Sequence, residues 1–207
     1  LKSALPLLLV AGLFEVNQRA TVIILGTLSG PRDAGIFSIA SLIAALISFI
    51  LLAANTALGP VISSLYTSNE ISRLQNILTR SARITFLIAL VMALALTLLR
   101  QWVLLLFGQE FLQIGTLLGI LIIGYLFSVA AGSVGMILIM TGREKYTLTP
   151  IAVSAVVTIL LNVIWIPRWG IEGAGLATIV GMISGNILLV IQVRRLLGID
   201  ATVLGRL

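Results

Sequence analysis

Glu15, Asn17, Gln18 and Arg19 fall within five residues of one otherwise apolar stretch. Glu15 and Arg19 are spaced i, i+4, which on a helix puts a carboxylate and a guanidinium on one face within pairing distance. A helix starting near Lys2 carries Glu15 roughly 20 Å along its axis at about 1.5 Å per residue. That is close to the middle of a hydrocarbon layer. A charge at such depth costs about 2.5–3.5 kcal/mol on insertion scales, so the residues that carry it face a bundle interior or a wet cavity. Two readings stand side by side. The pair neutralises itself and orients helices, or it belongs to a polar patch on a substrate path.

Other chemistries are short of parts. The 207-residue chain has no Cys and no His, so thiol nucleophiles, thiolate metal sites and imidazole bases are excluded. Ser133 has no histidine partner, the H-E-x-x-H arrangement is impossible, and no G-x-x-x-x-G-K-[ST] loop occurs. No aspartate lies inside a long apolar run. The expectation is a protein that is not an enzyme and uses no cofactor or metal. The net charge of +6 could suit nucleic acid. The Lys and Arg residues sit between apolar runs instead, where they set membrane topology, so no nucleic-acid partner is expected.

The elements that position these residues follow from composition. The chain is 59% hydrophobic and 10% charged, with a mean hydropathy of +1.19. Soluble domains carry about a quarter charged residues, so the fold class expected is all-α, a polytopic membrane protein surrounded by membrane lipid. Charge-free intervals predict six transmembrane helices over residues 4–28, 34–65, 84–107, 114–140, 146–166 and 173–193, forming a single six-helix unit over 1–207. One side collects Lys2, Arg73, Arg80, Arg83, Arg143, Lys145, Arg194, Arg195 and Arg206; the other has Arg32, Arg100 and Arg168. This asymmetry puts both termini of the multi-pass chain in the cytoplasm; the inner (plasma) membrane is the expected location. Trp102 and Trp169 fall at the outer boundaries, as interfacial aromatics do. The chain begins at Leu1 and has no signal-peptide pattern, as expected for a piece of a longer protein.

Between the second and third segments, Thr67 and Glu70 have capping-box spacing, and Ile71, Leu74, Ile77 and Leu78 follow at helical spacing. This predicts a short amphipathic helix on the inner leaflet; the plainer reading is a connector rich in topology-setting charge. Gly173, Ala177, Gly181 and Gly185 form a stripe of small residues four apart, a flat ridge that allows close helix approach, static or sliding. Gly115 and Gly119, and Gly124, Ser128 and Gly132, repeat the spacing. Asn55, Asn162 and Asn186 are expected to bridge neighbouring helices. Arg100 is expected to reach for the outer interface or the mouth of a cavity.

Several short motifs carry a family resemblance. They are Gly35 to Ala40; Leu58, Gly59 and Pro60 followed by Leu65 and Tyr66; Phe107 and Gly108 before Phe111; Thr141 and Gly142 before Lys145; and the run from Asn162 through Pro167 and Gly170 to Gly173 and Ala174. In this order they resemble the polysaccharide flippases of the multidrug/oligosaccharidyl-lipid/polysaccharide exporter superfamily. The resemblance implies one lobe of a two-lobe transporter, here the second (C-terminal) lobe. The partner would be a missing N-terminal six-helix lobe. The function implied is alternating-access flipping of a polyprenyl-diphosphate-linked oligosaccharide for cell-surface polysaccharide synthesis. Within it, Arg19 is the expected anion contact, Asn17 and Gln18 the polar lining, and Glu15 a holder of or competitor for Arg19. Relatives place an aspartate where this chain has Thr21, which argues against acid-dependent ion coupling in this helix. The alternatives are a multidrug exporter of the same superfamily and a non-transporting membrane scaffold.

Overall fold

The structure, a computed structural model, describes residues 4–205, apart from the side chains of 4–11, 13, 14, 18, 110, 112 and 113. Lys2, Arg206 and the side chain of Gln18 therefore lie outside the described residues. Among those described there is no strand. The order is α1 (Ala4–Leu28), α2 (Pro31–Thr67), α3 (Ile71–Leu98), the short α4 (Arg100–Leu105), a 3-10 turn (Gln109–Ile114), α5 (Gly115–Ala131), α6 (Val134–Met140) and α7 (Lys145–Leu197). Pro31 opens α2 at a position where its missing N–H costs nothing. Hydroxyls inside the helices bond back to carbonyls one turn earlier, as Thr85 does to Ser81 (2.8 Å) and Thr97 to Ala93 (2.7 Å). This satisfies them without water.

α2, α3 and α7 are each long and apolar enough to cross a membrane, and α5 with α6 makes a fourth if that pair, bent by 41°, is one span. The bend sits at Gly132 (φ 75°), which leaves the helical region before Ser133. Leu42, Phe49, Ile84, Leu87, Val91, Val156 and Leu160 all point outward and are exposed. An apolar exterior of this extent belongs against lipid or another protein surface. Inside, one apolar cluster gathers Leu25, Phe37, Ile47, Leu117, Leu118 and Leu121. A second gathers Ile62, Leu74, Leu78, Ile137, Leu138 and Ile199.

α7 is a hairpin. A straight helix of its 53 residues would run about 80 Å, but Gly170 adopts φ 55°, ψ −133° and breaks it. Beyond the break, a Cβ added at Gly173 would sit 2.5 Å from the Trp165 carbonyl oxygen. One at Gly181 would overlap the Thr158 hydroxyl, and one at Gly185 would sit 2.9 Å from Ser154 Cβ. These pairings run in opposite directions along the chain, so the arms 145–169 and 171–197 are antiparallel. The ridge of Gly173, Gly181 and Gly185 is the contact surface between them.

Three differences from the sequence expectation stand out. The connector 66–83 and the third expected segment are not separate elements, because α3 runs unbroken from Ile71 to Leu98. No Gly or Pro interrupts that stretch, so nothing stops the helix once Glu70 has started it. The same helix ends at Leu98, before the expected limit at 107, and α4 follows as its own short turn. Between the last two expected segments there is no loop; a single non-helical residue makes the reversal.

Candidate functional site

α1 places its polar residues on two faces. Glu15 and Arg19 lie on the outward face, exposed beside Val16 and Ile23. Glu15 Oε2 accepts from Arg19 Nε at 3.1 Å, with the side chains 62% and 76% exposed. A guanidinium carries five N–H donors in a planar fork, and this contact runs through Nε.

Asn17 is turned about 200° around the helix from Glu15 at about 100° per residue and faces the other way. Its Nδ2 donates to Ser154 Oγ on α7 at 3.0 Å. One turn further, Asn162 Nδ2 donates to Thr21 Oγ1 at 2.9 Å, and Thr21 and Thr178 share a hydroxyl contact of 3.1 Å. Thr178 spends its own proton on the Ala174 carbonyl (2.9 Å). Thr21 is therefore the donor to Thr178, and the proton direction along the chain is fixed. Thr21 and Asn162 are buried, and Asn162 Oδ1 has no partner. Alongside lies a cavity of about 260 Å³ lined by Asn17, Ser48, Tyr125, Ser128, Ser154 and Asn186, among others. Among the described residues its wall has hydroxyls and amides but no Asp, Glu, Lys or Arg. Thr21 makes neutral hydrogen bonds inside the bundle.

The structure thus brings Glu15 and Arg19 together and separates Asn17 from them. Gln18, the fourth residue of the expected site, has no described side chain. Asn162 bridges helices as its position within an apolar run predicts. Asn186 lines the cavity, whereas Asn55 Oδ1 is buried without a partner. Arg100 lies against Gly115, 3.9 Å from the position a Cβ would take there. Among the described residues no group of three or more His, Cys, Asp or Glu could hold a metal ion.

The buried seam was missed at the level of sequence, although a signal was present. Ser154, Thr158 and Asn162 are four apart, a polar stripe on the first arm that mirrors the small-residue stripe on the second. At the opposite end of the bundle, arginines expected only to set topology also lock the fold. Arg143 donates to the Leu196 carbonyl and, at 3.3 Å, to the Tyr66 hydroxyl. Arg83 donates to the Val203 (3.2 Å) and Gly205 (3.0 Å) carbonyls.

The MatE family model matches residues 6–164. No curated protein and no solved structure matches the chain.

Proposed function

The chain belongs to the MatE family, and from that premise we propose that it is half of a flippase for a polyprenyl-diphosphate-linked oligosaccharide. The family makes it a membrane transporter of the multidrug/oligosaccharidyl-lipid/polysaccharide exporter superfamily. The substrate, the second lobe and the inner membrane are the proposal. So is a six-crossing path made by α1, α2, α3, the α5–α6 pair and the two arms of α7, with both ends in the cytoplasm.

The observation that supports the reading is the outward Arg19. Moving a diphosphate past hydrocarbon requires a partner for its charge, and a guanidinium gives bidentate, charge-assisted hydrogen bonds. Arg19 offers such a group at mid-helix on an uncovered face, held from one side by Glu15. A lobe docked against that face would turn it into a cavity wall. The lipid tail stays in the bilayer while the polar head passes the pair. Asn17, bonded to Ser154, steadies α1 against α7 rather than lining the path.

The exposed Glu15 favours a second reading, a multidrug exporter in which the carboxylate takes a cationic substrate. Charge-changing variants of the complete transporter separate the two. Under the flippase reading Arg19→Ala abolishes glycan export at normal protein level. Arg19→Lys restores it only in part, because an ammonium lacks the planar fork. Glu15→Gln with Arg19→Gln removes both charges and leaves none unpaired, so the protein folds but stays inactive. Normal glycan export by this double variant refutes the anion site.

A further inference from the structure

The segment after α7 is held by hydrogen bonds from α3 along its length. Gln75 of α3 donates to the Asp200 carbonyl (2.6 Å) and accepts from the Asp200 amide (2.7 Å), one side chain pairing with both backbone groups of one residue. Thr79, one turn on, donates to the same carbonyl at 3.2 Å. Arg83, a further turn on, holds the carbonyls of Val203 and Gly205. Three successive turns of α3 thus grip residues 200–205. Ile199 and Ala201 are buried against Leu74, Leu78, Ile137 and Leu138.

The same segment engages the break between α5 and α6. Val203 N–H donates to the Ala130 carbonyl at 3.1 Å, one of the carbonyls left over where α5 ends. The Ala201 carbonyl lies so close to Gly132 that a Cβ there would overlap it. Arg194, on the second arm of α7, closes the set with a 2.6 Å ion pair to Asp200.

We propose that residues 198–205 are a latch: docked, they hold the α5–α6 bend and tie it to α3 and to the second arm of α7. A bend at a glycine is the point where a membrane helix changes its angle most cheaply. This bend is occupied by a foreign carbonyl on one side and a foreign amide on the other. α6 swings only when the latch leaves. The inference concerns this chain's own mechanics and is independent of which substrate is carried.

Amide hydrogen exchange on the complete transporter tests it. Arg83→Gln removes the charged donors to two carbonyls. Asp200→Pro removes the amide that bonds Gln75 and lies outside every helix, so the bundle folds around it. In both variants exchange over 199–205 and over 134–141 rises together, by about tenfold, as expected for losing a charge-assisted bond from a local opening equilibrium. Exchange over 20–28, in the other apolar cluster, stays at the wild-type rate. If Arg83→Gln loosens 20–28 as well, the fold itself has failed there and Asp200→Pro decides. Faster exchange over 199–205 with 134–141 unchanged overturns the latch, because the segment then leaves without freeing the bend. Wild-type protection of both regions in Asp200→Pro also overturns it.

Discussion

Gly181 tests the hairpin most sharply. An alanine there would put a Cβ through the Thr158 hydroxyl, 3.0 Å from Thr158 Cβ and 3.0 Å from the Ser154 carbonyl oxygen. Carbon atoms rest at about 3.5–4.0 Å, and a gap of about 0.5–1 Å already forfeits a quarter to a half of a dispersion contact. Relieving the overlap needs the arms to part by about that much. The Ser154 oxygen belongs to the backbone and cannot rotate away. The cost is that of overpacking a close-fitted core, about 1–3 kcal/mol. Gly119, on α5, is the control: a Cβ there meets nothing within 4 Å. Gly119→Ala should stabilise by about 0.4–1 kcal/mol through reduced freedom of the unfolded chain. In thermal unfolding of the purified transporter, about 2–4 °C per kcal/mol, Gly181→Ala should fall and Gly119→Ala should hold or rise. Adding Thr158→Ala to Gly181→Ala removes the overlapping oxygen and should recover part of the loss. Equal melting of Gly181→Ala and Gly119→Ala would refute the close antiparallel seam.

Three further outcomes are expected. Thr21→Val leaves the buried Asn162 amide without its acceptor and should cost about 1–3 kcal/mol, read from the same melting curves. Gly170→Ala meets no atom within 4 Å, so any loss is backbone strain at φ 55°, ψ −133°; about 1–3 kcal/mol is expected, and wild-type melting would show that the reversal tolerates a side chain. Burial pushes the Asp200 carboxyl up, but the Thr202 hydroxyl and amide together with Arg194 outweigh it and hold it below the ordinary carboxylate value. A group depressed in the fold stabilises it above the unfolded value of about 3.9 and loses that contribution as pH falls through the folded value. Melting should therefore be insensitive to this group above about pH 5 and decline below about pH 4; Asp200→Asn should flatten that decline.

Some of the architecture was legible because its signals are local. Ser29, Gly30 and Pro31 punctuate the end of α1 and the start of α2. The four-residue repeat of Gly173, Ala177, Gly181 and Gly185 marks a surface of close approach before any partner is known. Glu15 and Arg19 pair because i, i+4 spacing alone brings them together. What stayed hidden depends on partners far along the chain. Asn17 lies between Glu15 and Arg19 in sequence; helix geometry turns it to the other face, but only the tertiary fold shows that Ser154 is its partner there. Thr21 reads as an ordinary small polar residue until Asn162 and Thr178 arrive from 141 and 157 residues away. The docked segment 198–205 has an unremarkable composition, and its grip comes from side chains of α3 about 120 residues earlier. Charge spacing places arginines at this end of the bundle, but the carbonyls they hold come from the tertiary fold.

The reversal at Gly170 bears on how this protein is made. The two arms share one seam and no loop, and each supplies what the other lacks. The first carries Ser154, Thr158 and Asn162 along its inner side; the second lays its glycine ridge against Ser154 and Thr158, while Asn17 and Thr21 of α1 supply the hydrogen-bond partners of Ser154 and Asn162. Released alone into lipid, the first arm would carry bare amides and hydroxyls, each costly without a partner. Docked against the second arm and α1, it presents lipid mainly with residues such as Val156, Leu160 and Val163. The tip holds Arg168 and Glu172, opposite charges that cancel. On the crossing pattern proposed here, the amide and hydroxyl of the first arm find their partners on α1, which precedes the hairpin in chain order, so the helix that satisfies them is already made when the hairpin follows.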